Sequence, residues 1–148
     1  MQLIYKYAIL YFLLFSLALL VSGLVIFDDK IGLSYQSVLD YYLGNEEKFI
    51  VAKSPQGLLK IILPHIFSFG LFVMVILHFL AFTKHAKNKN VSILIYATFF
   101  VSFLELASPF LILQGVEFFA YVKIISFVTF EFLILYALWL VFDSIIND

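Results

Sequence analysis

Residues Phe118 to Phe142 read FFAYVKIISFVTFEFLILYALWLVF, an apolar run broken only by Lys123 and Glu131. At about 1.5 Å per residue such a run outreaches a hydrocarbon core of roughly 30 Å, so it is read as a membrane-spanning helix. An ionisable group at bilayer depth costs on the order of 3 kcal/mol even on the lenient insertion scale. Lys123 and Glu131 therefore mark a functional site in need of partners.

Working outward, the preceding run from Val91 to Ser108 carries Glu105 and meets Pro109, which closes or bends a helix by removing a backbone N–H. A third run, about 58–83, carries His65 and His78, with Pro64 beside the first histidine. It starts from Ser54-Pro55, an N-cap followed by proline at the first helical position. The first run, about 8–27, holds no charge and is too long for the apolar core of a secretory signal. The linkers around Lys84–Asn90 and Gln114-Gly115 are short and force antiparallel neighbours. The expected fold is an all-α integral membrane protein, one domain over 1–148, built as an antiparallel four-helix transmembrane bundle.

Composition agrees. Of 148 residues 64 % are hydrophobic and 13 % charged, far from the ordinary soluble range, so lipid is the solvent for most of the surface. All basic side chains are lysine, the net charge is −1, and no basic run suits nucleic acid. No cysteine occurs, which excludes disulfides, thiolate metal sites and iron–sulfur clusters. No Gly-rich phosphate loop, serine elbow or zinc-protease histidine pair appears, so a hydrolytic enzyme is not expected.

Residues 28–57 form the one sizeable extramembrane segment. Tyr35, Val38, Leu39 and Tyr42 recur at helical spacing between Ser34 as N-cap and Gly44 as terminator, the pattern of a short amphipathic helix lying at the interface. Tyr35 and Tyr42 are expected to anchor it at headgroup level, with Tyr41 at its edge. The linker holding Lys84, Lys87 and Lys89 lies on the same side as Lys6; Lys30, Lys48, Lys53 and Lys60 equal that count on the other side, but the linker's lysines are denser and closer to the helix ends, which favours cytoplasmic termini.

Counting from the long-loop side, His65, Glu105 and Lys123 fall in one layer, with Glu131 two turns deeper and His78 toward the far side. Glu105 and Lys123 read either as a structural ion pair or as a proton-accepting site that follows a ligand or redox change, with Glu131 nearby and lacking a basic neighbour at its depth. The histidines invite haem b or, for His65 with Glu105, a metal ion. Thirteen residues apart, His65 and His78 stand about 20 Å apart along the axis and about 140° around it, so they cannot grip one haem together. A second axial ligand would come from another chain, or from Met74 or Lys123.

The stretch Tyr42-Leu43-Gly44-Asn45-Glu46-Glu47, followed by Lys53, Gly57-Leu58-Leu59, His65-Ile66-Phe67 and His78-Phe79, resembles a family of small four-span bacterial inner-membrane proteins. The resemblance covers roughly residues 34–83. Members place a His-x-His pair at the start of this helix; here the first position is Leu63, so only His65 carries over. The resemblance implies a respiratory or haem-rich setting. Two readings follow: a haem- or metal-binding redox or proton-transfer module, or a non-catalytic accessory or assembly subunit. Membrane lipid and further membrane subunits, copies of itself or others, are the expected partners.

Overall fold

The computed structural model describes residues 3–147 and contains five helices: α1 Leu3–Lys30, α2 Tyr35–Leu43, α3 Pro55–Leu80, α4 Lys89–Leu113 and α5 Phe119–Ile146. α1, α3, α4 and α5 are each long and apolar enough to cross a membrane. The protein is an all-α membrane protein with a four-helix bundle, and α2 is the short extra helix between the first two spans.

Local chemistry sets the helix ends. The Ser34 hydroxyl accepts from the Ser37 amide at 3.1 Å while Ser37 Oγ accepts from the Ser34 amide at 3.1 Å, a reciprocal cap that starts α2. Gly44 stops it with φ 84°, and a Cβ there would lie 2.7 Å from the Ala52 nitrogen, so only glycine fits. Ser54 caps α3 through the Gly57 amide at 3.1 Å, with Pro55 at the first turn. Asn88 caps α4 through the Asn90 amide at 3.0 Å.

One boundary corrects the sequence reading. α4 does not close at Ser108; it runs through Pro109 to Leu113. The proline deprives the Glu105 carbonyl of its helical donor, but Lys123 Nζ and Ser108 Oγ each donate to that oxygen at 3.1 Å, so the helix continues at little cost.

α4 and α5 form the most extensive pair, and α3 packs against both. Small polar side chains make the close α4 approach feasible: Thr98 and Ser102 are buried and turn their hydroxyls back onto Leu94 O and Thr98 O, at 2.8 and 2.6 Å. Two apolar cores result. One, around Ile76, Leu80, Ile134 and Leu138, fills the linker half; the other, around Val38, Leu58, Ile112 and Ala120, lies beneath α2. Glu105, Lys123 and Glu131 lie between them, on the cavity described below.

α1 is attached differently. It packs chiefly on α5, and 17 % of its apolar stretch is buried against 50 % for α5. At the linker end it touches α3 through the edge-to-face pair Phe12–Phe79, centroids 5.2 Å apart. Nearer α2 a wedge-like cavity lies between the two helices.

Candidate functional site

The wedge is a cavity of about 440 Å³ with walls from α1 and α3, a floor from α5 and a roof from α2. Glu105, Lys123 and Glu131 all line it, and so does His65 at the α3 wall. Glu105, Lys123 and Glu131 are each about 94–95 % buried. Glu105, Lys123 and Glu131 thus open buried onto one cavity, whereas the layer expected from counting grouped His65 with Glu105 and Lys123 and set Glu131 two turns deeper.

Lys123 donates to the Glu105 carboxylate and, at 3.1 Å, to the Glu105 main-chain oxygen. That second acceptor exists because Pro109, four residues on, supplies no N–H. One residue therefore offers both its charge and its backbone to the ammonium, which keeps one of its three N–H groups uncommitted. The Phe27 ring stands 6.0 Å from Lys123 Nζ and is stacked on Phe127 at 3.9 Å, closing the apolar side of the pair.

Glu131 is different. Among the described residues, its Oε2 is the one buried side-chain oxygen or nitrogen without a hydrogen-bond partner. Gly23 faces the carboxyl: a Cβ there would come into van der Waals contact with Glu131 Oε1, at 3.4 Å. α1 thus covers Glu131 with a gap instead of a donor.

The histidines do not join this buried set. His65 lies on the exposed rim, its Nδ1 2.6 Å from the Ile61 carbonyl of its own helix. His78 is exposed on the outer face beside Phe82, centroids 5.0 Å apart, and is not part of the cavity. Haem held by both imidazoles of one chain does not fit this arrangement, since they lie at different depths and on different faces. For a metal ion on His65 and Glu105 the carboxylate is already committed to Lys123, and among the described residues no group of three His, Asp or Glu side chains is close enough to hold one.

α2 also departs from expectation. Tyr42 is 4 % exposed and turns into the bundle as part of the cavity roof, because the Val38–Leu39–Tyr42 stripe rests on the ends of α4 and α5 and not on lipid. Burial, reinforced by the nearby Glu105 carboxylate, pushes its phenol well above the ordinary range. Tyr35 is half-buried, stacked on Tyr121 at 4.4 Å, and donates to Glu117 at 3.3 Å. Tyr35 holds α2 to the start of α5, and Tyr42 holds it to the cavity.

Two polar clusters escaped the sequence reading. Behind α2, buried Asp40 accepts from Gln36 Nε2, Asn45 Nδ2 and Lys48 Nζ at 2.9, 2.9 and 2.6 Å. At the opposite end Asp143 Oδ2 lies 2.8 Å from both Lys84 Nζ and His85 Nε2, so His85 clips the linker to α5 instead of standing in solvent. The helical spacing of Gln36 and Asp40 was a legible signal for the first; nothing in the sequence pairs residues as distant as Lys84 and Asp143 for the second.

A family model described as a transmembrane helical domain matches residues 32–148, taking in α2 to α5 and leaving α1 outside. That match bears out a membrane-helical family; the motif pattern between Tyr42 and Phe79 is not part of what it shows. No curated protein and no solved structure matches the chain.

Proposed function

The chain belongs to this family of transmembrane helical domains, and on that premise we propose that this small polytopic membrane protein works as a proton-exchange module, with Glu105, Lys123 and Glu131 as its working groups. The observation that carries the reading is the unpartnered Glu131 Oε2 in the same cavity as the buried Glu105–Lys123 pair. Lys123 and Glu105 compensate each other in charge, so one proton on Glu131 moves the cluster between a single negative charge and neutrality. In a low-dielectric interior such a change is worth far more than in water, and it biases whatever occupies the cavity.

Two further features support the proton arm over the haem arm. The carboxyls and the ammonium converge, whereas both membrane histidines lie on exposed surfaces. The apolar core around Ile76, Ile134 and Leu138 lies beyond the cluster, so protons exchange with the α2 side and do not run through the bundle. We further propose a bacterial inner-membrane setting, on the resemblance between Tyr42 and Phe79, with the Lys84–Lys89 linker and both termini cytoplasmic, on the denser lysines of that linker.

Infrared spectroscopy of the protein in bilayers through a pH titration tests this. A carboxyl C=O band that appears and disappears with pH is expected in the wild type and in Glu46→Gln, an exposed control. One component of that band, separate from those of the exposed carboxyls, is expected to vanish in Glu131→Gln and to persist in Glu46→Gln. A titrating band that survives Glu131→Gln unchanged would overturn the proposal.

A further inference from the structure

We infer that the wedge between α1 and α3 is a binding site for a lipid-soluble aromatic alcohol with an apolar tail, of the alkylated hydroquinone class, whose hydroxyl donates to Glu131 Oε2. This shares the site of the proton reading but needs only the acceptor atom of Glu131, not its titration.

The cavity volume of about 440 Å³ lies inside the usual range for small-molecule sites, about 300–1,000 Å³. Its place gives a route: α1 and α3 meet at Phe12–Phe79 and flank the cavity nearer α2, so the gap between them is an entry from the lipid. The two polar requirements of the site are specific. Glu131 Oε2 is buried and lacks a donor, while Lys123 retains one N–H after its two bonds to Glu105. A molecule that donates at Glu131 and carries a second oxygen able to accept answers both needs, since the two residues stand eight positions, about 12 Å, apart along α5.

Depth and lining narrow the class. Glu131 lies twelve residues into α5, about 18 Å from its start, too deep for a phospholipid headgroup to reach while staying wet. A phosphate would also bring negative charge toward Glu105 and Glu131. An acyl chain alone could fill the wedge but would leave the carboxyl oxygen unpaired, which costs about 1–3 kcal/mol. Aromatic rings flank the floor: Phe27 stacks on Phe127 at 3.9 Å and Phe69 on Phe130 at 4.9 Å, and all four line the cavity. Such walls favour a flat ring with a hydrocarbon tail lying out between α1 and α3.

The test uses the full chain in nanodiscs of fixed lipid composition, with radiolabelled decylhydroquinone kept reduced, and its dimethyl ether as a probe of equal body without a donor. Saturable binding near one per chain is expected for the hydroquinone, with affinity about tenfold lower for the ether, the loss of one buried hydrogen bond. Gly23→Leu, which fills the space beside Glu131, is expected to abolish the saturable component with helix content unchanged. Equal retention of hydroquinone and ether by the wild type would overturn the assignment without recourse to any variant. So would uptake that never saturates, or that Gly23→Leu leaves intact. Binding without a titrating carboxyl band would sink the proton reading alone, and a titrating band without binding would sink this inference alone.

Discussion

Lys123 owes its position to a proline on another helix. Because Pro109 leaves Glu105 O without its helical donor, the ammonium finds a main-chain acceptor and a carboxylate on one residue, and both partners stay buried. Removing one partner strands the other charge in a medium that solvates it poorly. Lys123→Met and Glu105→Gln are each expected to destabilise the protein by about 3–5 kcal/mol, and the double substitution by much less, since an uncharged pair leaves no orphan charge. Denaturant unfolding in a fixed detergent measures the cycle; single substitutions costing little would mean that the pair is solvated. The α4 relation was legible in principle, as Glu105 stands four residues before Pro109. The sequence leaves open whether Pro109 closes or bends the helix, and the donor arriving from α5 is what lets the helix run on. The inward turn of Tyr42 was hidden for a similar reason: periodicity gives a face, not what the face meets.

At the scale of elements, caps and turns were the readable part. Ser34, Gly44 and Ser54-Pro55 bound α2 and α3 by local chemistry, and the structure has these ends where that chemistry sets them. The long α2–α3 connection was less legible, because its order comes from Asp40, whose partners lie on both sides of the turn. Lys48, then Asn45 and Gln36, hold the Asp40 carboxyl at about 2, against an ordinary value of about 3.9. A depressed folded-state value means that the contribution of this group is complete above about pH 4 and is lost as pH falls from there through about 2. NMR titration of the Asn45 and Ile50 amides, which bond each other's carbonyls at 2.8 and 2.9 Å, is expected to show a midpoint near 2 that disappears in Asp40→Asn. A midpoint near 4 would show the carboxyl free of its partners. α1 is the least tied of the spans, and it is also the span outside the family match.

For the molecule as a whole, the four spans and the layer of Glu105 and Lys123 followed from helix length, antiparallel linkers and counting along each axis. What counting could not supply was rotation about those axes. His65 stands at the exposed rim of the cavity and His78 faces outward, so the two imidazoles of one chain do not join the buried carboxyls and ammonium. Nor could it supply the cavity that α1 and α3 leave over Glu131. The account rests on charged groups from α4 and α5 meeting inside the bundle. Solid-state NMR dipolar recoupling between isotope-labelled lysine Nζ and glutamate Cδ in lipid bilayers reports that meeting directly. A strong coupling that resists exchange with water and disappears in Lys123→Met is predicted; absence of any lysine–glutamate coupling in the wild type would contradict the buried centre.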